Sequence, residues 1–345
     1  MFLRRLSRLL LLATLMSASM MTSVAWANGE ECVGFWPNPD ACFPDVLCPQ
    51  YEQFWDIRRS VVHISGPDAL GTGVLINNGH CYNKNELCGL PLILTANHVA
   101  SSLMGTPMTD GEKSDIENLT AFTFNLEAAV CGGATSGDAV GVVGATVIAA
   151  SPKADLLLLQ LTTTLPPELG AYFVGWGSGL LDQAVSISHP CGAPKRIAIS
   201  EPGTVTFQPV VGKDIYNVDY WDVGSLADGS SGAPLFDEST GSLFGVFTDA
   251  FGAGAHQCFD PNAAAQHHFT ALTTLLEFLP SSIDANMIVI GSYDSNDYLP
   301  PAGTVKDSSY YGEGEVVNIT AEEQVLLVDG FWADSGSTIV VEVGP

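Results

Sequence analysis

The sequence predicts an all-β protein of barrel or sandwich type. Three observations point there. Short runs rich in Val, Ile, Leu, Phe and Thr recur from residue 60 to about 250, Gly, Pro and Asn separate them as turn signals, and convincing helical periodicity is confined to one late stretch. The chain has 345 residues, 46% hydrophobic, with 35 Gly and 20 Pro, which suits one large β-rich domain plus something smaller.

Residues 1–27 stand apart from that core. Arg4, Arg5 and Arg8 precede an apolar run at 9–16, and Ala25-Trp26-Ala27 reads as a small-x-small cleavage site, so a signal peptide is expected at 1–27, with the mature, secreted protein starting at Asn28 and no membrane span after its removal. Beyond residue 27, nine Lys+Arg face 38 Asp+Glu, a net charge of −29. So acidic a surface repels nucleic acid and anionic lipid, which excludes nucleic-acid binding, and it reads as a solubility adaptation to salty surroundings. The eight cysteines (32, 42, 48, 81, 88, 131, 191 and 258) form an even set behind a signal peptide and imply four disulfides in an oxidising compartment. Close Cys or His pairs at metal-ligand spacing are missing, so no metal is expected.

Residues 28–55, rich in Cys, Pro and aromatics, read as an irregular arm. Strands are then expected at 61–65, 73–76, 92–96, 121–124, 140–149, 156–161, 184–188, 204–209, 235–236 and 242–248. A helix is expected over 270–279, where Leu272, Leu275, Leu276 and Leu279 share a face. Residues 293–303 read as linker. Strands at 316–319, 324–328 and 337–343, broken by Asp329-Gly330 and Ser335-Gly336, read as tight hairpins. The main domain is therefore placed at 28–282 and a small β accessory module with its linker at 283–345.

Chemistry concentrates at 228–237, where Gly229-Ser230-Ser231-Gly232-Ala233-Pro234 has the form of a nucleophile turn. A serine hydroxyl needs a base to take its proton and N–H donors for the oxyanion it creates; Gly229 and Ser231 N–H are the candidates for that oxyanion hole. The base is His98, presented at the end of the apolar run 92–96, a more specific setting than those of His189 or the adjacent pair His267-His268. The carboxylate is Asp155, heading Leu156-Leu157-Leu158-Leu159-Gln160-Leu161, where burial calls for a partner. The chain order His98, Asp155, Ser231 matches chymotrypsin-like barrels and neither the subtilisin nor the α/β-hydrolase order.

At these residues the sequence resembles the chymotrypsin-fold (trypsin-like) serine proteases, and within them the bacterial lysyl endopeptidase group. The matches are Cys42-Phe43-Pro44-Asp45-Val46-Leu47-Cys48-Pro49, Gly71-Thr72-Gly73-Val74-Leu75-Ile76-Asn77-Asn78, Leu94-Thr95-Ala96-Asn97-His98, Ile187-Ser188-His189-Pro190, Pro194-Lys195-Arg196-Ile197 and Gly229 to Pro234. The resemblance implies two six-stranded β-barrels with the triad in the cleft between them, peptide substrates, and an acyl-enzyme mechanism that uses no cofactor. It also implies bridges Cys42–Cys258 and Cys48–Cys131; the family's bridge beside the catalytic histidine is replaced by Gly71 and Val99. Cys81–Cys88 is then expected to close a local loop, which leaves Cys32–Cys191. The family's lysine-binding aspartate has no counterpart in Ala263-Ala264-Ala265-Gln266-His267. Ser225, where trypsin-like enzymes carry an acid, is neutral too. Ser225, Thr248 and Asp249 are the candidate substrate-binding residues, with Asp249 and Asp260 the remaining acids for a basic side chain. The tail, Val328-Asp329-Gly330-Phe331-Trp332-Ala333, is similar to small β modules of exported bacterial proteins, which suggests surface attachment, secretion or substrate contact. The rival readings are a non-catalytic adhesion or binding protein on the same fold, and a serine esterase.

Overall fold

A period-2 strand can serve two cores at once, and that is how the leucine run is used. The computed structural model describes residues 42–67, 69–76, 91–101, 104–175, 177–251, 266–277, 293–294 and six later strand segments between 304 and 343. The chain divides into two units, Met1–Pro37 and Asn38–Pro345, of which the first lies outside the described residues, as does the expected signal peptide.

The first sheet comprises β1 (Val61–Ser65), β2 (Leu70–Ile76), β3 (Leu92–Thr95), β4 (Ala121–Phe124), β5 (Val140–Val143), β6 (Ala145–Ser151) and β7 (Leu156–Leu161), in the order β5-β4-β1-β2-β3-β7-β6. All its pairings are antiparallel, with His63 opposite Thr72 and Leu94 opposite Leu158. The second holds β9 (Ala184–Ser188), β10 (Arg196–Ser200), β11 (Val205–Val210), β12 (Lys213–Val218), β13 (Trp221–Val223), β14 (Pro234–Asp237), β15 (Leu243–Phe251) and β16 (Gln266–Ala271), in the order β11-β12-β16-β15-β14-β9-β10-β13. The short β8 (Tyr172–Phe173) lies between the sheets in sequence and pairs with β17 (Tyr293–Asp294). The all-β class stands, with seven and eight strands where six and six were expected.

Three apolar cores follow from these sheets. Val62, Ile64, Leu75, Ile93, Leu157 and Leu159 fill the first sheet's interior. Tyr216, Trp221, Phe244, Phe247 and Phe269 fill the second's. Val61, Val74, Leu94, Leu156 and Leu158 meet Val185, Ile187, Phe236 and Val246 between the two. Alternate leucines of β7 thus enter different cores, each fully buried side chain contributing about 1.5–3 kcal/mol.

Several expectations change in detail. Gly144, at φ 90°, splits the single strand expected at 140–149, because a Cβ there would lie 2.4 Å from the Glu117 carbonyl oxygen. The helix expected at 270–279 is a strand to Ala271, where Phe269, Thr270 and Ala271 pair with Phe247, Val246 and Gly245. It continues as a 3₁₀ helix, Leu272–Glu277, whose i, i+3 spacing buries Leu272 and Leu275 as an α-helix would. Among the described residues, two α-helices escaped the hydrophobic pattern: α1 (Trp55–Arg58) and α2 (Asp110–Asn118), the latter with Thr109 and Glu112 forming a reciprocal capping box.

In the tail, β18 (Thr304–Asp307), β19 (Tyr310–Tyr311) and β20 (Val316–Ala321) pair in parallel with β21 (Gln324–Leu327), β22 (Trp332–Ala333) and β23 (Thr338–Val343). This corrects the expected hairpins, since none of these strands pairs antiparallel with the next among the described residues; Asp329-Gly330 and Ser335-Gly336 themselves lie outside the described residues.

Candidate active site

His98 sits in a single 3₁₀ turn, Asn97–Val99, immediately after β3, because the fully buried Ala96 ends the strand and turns the chain. Asp155 reaches it from the β6–β7 turn. Its Oδ1 accepts the His98 N–H at 2.9 Å, its Oδ2 lies 2.6 Å from His98 Nδ1, and its own carbonyl accepts the Asn97 N–H at 3.2 Å. The residue is 4% exposed and holds a left-handed backbone with φ 56°, a conformation Asp tolerates better than most residues. Such strain costs of order 1–3 kcal/mol and persists only where the surroundings enforce it. Here Thr270 Oγ1 donates to the neighbouring Ala154 carbonyl at 2.8 Å, tying the turn to β16. With Nδ1–H given to Asp155, Nε2 keeps a lone pair for accepting a proton.

Ser231 lies between two glycines of positive φ, Gly229 at 84° and Gly232 at 82°. Neither position admits a side chain: a Cβ at Gly232 would lie 2.1 Å from Thr95 Oγ1, and one at Gly229 2.7 Å from the His189 carbonyl. The turn is therefore pressed onto β2 and the end of β3, beside the segment that carries His98. Ser231 O accepts the Thr72 N–H at 2.8 Å, and a Cβ on Gly71 would meet both Ser231 O and the Val99 side chain. Among the described residues the N–H groups of Gly229 and Ser231 donate no hydrogen bond. Among the described residues Ser231 Oγ and His98 Nε2 form no hydrogen bond with each other.

Behind the turn, Ser188 and Ser230 share a buried hydroxyl contact at 3.0 Å, and Ser230 Oγ accepts the Ala227 N–H at 3.2 Å. His189 Nδ1 lies 2.9 Å from the Ala193 carbonyl, and its ring stands 5.2 Å from that of His63. Burial pushes His63 down to about 4, although part of the residue reaches the surface, because its Nε2 is enclosed without a partner. Burial, then the proximity of His63 and Lys195, holds His189 well below the usual imidazole range. Lys195, also fully buried, donates to Glu127 Oε1 at 2.9 Å and to the Arg58 carbonyl at 2.8 Å; burial lowers its pKa and Glu127 opposes that shift.

Of the candidate substrate-binding residues, Ser225 and Thr248 are buried, and Thr248 Oγ1 donates to the His268 carbonyl at 3.3 Å. Asp249 faces the cross-strand His268, with Nδ1 at 2.8 Å but without hydrogen-bond alignment. His267 turns to the opposite face, its Nδ1 accepting from Trp221 Nε1 at 3.1 Å. The bridge Cys48–Cys131 is present, with Cα atoms 4.5 Å apart. Cys42 is a free thiol in the structure, and its expected partner Cys258 lies outside the described residues. Cys191 is disulfide-bonded. Cys32, Cys81, Cys88 and Asp260 lie outside the described residues as well. Sequence reasoning missed Thr72, His63 and the Ser188–Ser230 pair as parts of this region. Thr72 and Ser188 lay in the quoted motifs, but as strand residues they carry no chemical signal of their own.

The chain belongs to the family of the lysyl endopeptidase C-terminal domain, whose family model matches residues 38–270, and it is therefore of the serine-peptidase type. Among solved structures it is similar to Deg5, at 21% identity over 69% of this chain and 95% of that one, with a TM-score of 0.42. It is similar also to the protease domain of MamO from Magnetospirillum magneticum, at 13% identity over 65% and 97% of the two chains and a TM-score of 0.37. A third is the HtrA-type protease AlgW with tripeptide, at 16% identity over 69% and 64%, TM-score 0.44. No curated protein matches the chain in sequence. Among the described residues no helix is long and apolar enough to cross a membrane.

Proposed function

We propose that this chain is a secreted serine endopeptidase that hydrolyses peptide bonds through an acyl-enzyme. The observation that carries the reading is the two-point grip of Asp155 on His98, set beside a glycine-flanked Ser231 docked on the same strands. Ser231 Oγ attacks the carbonyl carbon while His98 Nε2 takes its proton. Asp155 holds the ring and offsets the imidazolium charge, and Gly229 and Ser231 N–H receive the oxyanion. His98 then protonates the leaving amine, and water releases the acyl group by the same steps in reverse. These steps are carried by side chains and backbone of this chain.

The neutral Ser225 and the cross-strand histidine on Asp249 favour a substrate pocket without strong preference for Lys or Arg, since an unpaired charge there would be costly. Residues 1–27 act as the export signal, and the tail from 283 serves as an accessory module for surface or matrix contact.

A fluorophosphonate probe tests the mechanism. It should label Ser231 in the folded protein, and Ser231→Ala should abolish labelling. Absence of labelling in a folded sample supports the binding-protein reading instead. Turnover of esters without cleavage of casein supports the esterase. Cleavage-site profiling of a peptide mixture should show cuts spread beyond Lys and Arg; cuts confined to those residues would overturn the pocket reading alone.

A further inference from the structure

We propose that Thr72, on β2, is the positioning residue that fixes the oxyanion-binding turn, an inference that rests on the peptidase reading above. Thr72 is fully buried and uses every polar atom it has. Its N–H donates to Ser231 O at 2.8 Å, and its carbonyl accepts the Thr95 hydroxyl at 2.7 Å. Its Oγ1 lies 3.0 Å from the His189 nitrogen and 2.9 Å from Gly229 O. The direction of the last bond is forced. The His189 N–H can only donate, so the single hydroxyl proton of Thr72 goes to the Gly229 carbonyl.

That bond matters because of what it restrains. Gly229, with no Cβ and φ 84°, can rotate the peptides on both sides of it at little cost, and such a rotation would turn an oxyanion donor away from the cleft. Three carbonyls of the turn are each held by a hydrogen bond. Asp228 O takes the Cys191 N–H, Gly229 O the Thr72 hydroxyl and Ser231 O the Thr72 N–H. In a trans peptide the C=O and N–H point in opposite directions, so holding Asp228 O directs the Gly229 N–H. Holding Gly229 O and Ser231 O fixes the peptides on both sides of the one that carries the Ser231 N–H. Two of the three restraints come from Thr72, and the third from Cys191, two residues beyond the His189 that Thr72 also holds. One residue of the first sheet thereby sets donor geometry built by the second, without touching substrate.

The test compares Thr72→Val, which keeps the branched shape and the backbone bonds but deletes the hydroxyl, with Thr72→Ser, which restores the hydroxyl. Both are assayed on a peptide amide substrate, with a peptide boronate as oxyanion mimic and thermal unfolding as the folding check. Thr72→Val should lower kcat roughly tenfold to a hundredfold, less than the 10²–10³-fold expected for losing an oxyanion donor outright, with KM within about twofold. Boronate affinity should fall in proportion to kcat/KM, and Thr72→Ser should recover most of both. If Thr72→Val folds poorly, Thr72→Ala with the same boronate comparison replaces it. A folded Thr72→Val of native kcat, or losses that Thr72→Ser does not recover, overturns the proposal. Wild-type protein that hydrolyses nothing and takes no probe overturns the peptidase reading instead.

Discussion

Acid should loosen this protein through His63. An imidazole with an ordinary value of 6.5 is pushed to about 4 by burial, so between those pH values the unfolded chain binds a proton that the folded chain refuses. Stability therefore falls as pH drops from 6.5, and the loss is complete below about 4. At about 1.4 kcal/mol per pKa unit, the depression of His63 from 6.5 to about 4 corresponds to about 3 kcal/mol. His189, packed 5.2 Å away and held neutral by the same burial, pushes in the same direction; Lys195, further along that loop, opposes its protonation and Glu127 sits on Lys195. The perturbation is His63→Gln, a polar side chain of similar reach that does not titrate. Urea unfolding of both proteins, with disulfides intact, should be run from pH 7 to pH 4. Native protein should lose about 3 kcal/mol more than the variant across that range, a midpoint difference of about 1 M urea, while effects of surface carboxylates cancel in the comparison. Parallel curves for the two proteins would refute the reasoning.

Three further outcomes follow from the buried ion pair and the cysteines. Glu127→Gln leaves the Lys195 ammonium enclosed beside Arg58 without its counter-charge, and should cost about 3–5 kcal/mol by chemical unfolding at pH 7, whereas Lys195→Met should cost less because Glu127 keeps the Arg58 side chain at 3.4 Å. Removing the Cys48–Cys131 bridge, which spans 83 residues, by replacing both cysteines with Ala should lower stability by about 4–5 kcal/mol on the loop-entropy estimate, and Cys42 should react with a thiol reagent in the native protein.

The sequence marks candidate residues more readily than topology. His98, Asp155 and Ser231 stand out as candidates because each lies in a local context that implies a chemical need: a strand end, a buried acid, a glycine-flanked turn. Cross-sheet contacts have no such local mark. Thr72 bonds residues 117 and 157 positions away, and nothing around it in sequence distinguishes it from an ordinary strand threonine. The strands β12, β13 and β16 were missed because charged, polar and histidine residues interrupt their alternation, as in Lys213-Asp214-Ile215-Tyr216-Asn217-Val218, and only tertiary pairing supplies their partners. The parallel pairing of the tail was hidden for a related reason. Turn dipeptides such as Asp329-Gly330 mark where a strand stops without saying whether its partner is the next strand or one a coil later.

The bonds gripping the nucleophile turn are made by neutral groups: the hydroxyls of Thr72, Ser188 and Ser230 and the amides of His189 and Cys191. Mobile ions do little to such bonds, whereas fixed charges on the surface interact over a Debye length of about 10 Å at 0.1 M salt and only about 3 Å at 1 M. For a chain of formal charge −26, brine therefore relieves mutual repulsion among surface carboxylates while leaving the mounting of Ser231 unchanged. Ionic strength and the alignment of the Ser231 turn are in this way decoupled.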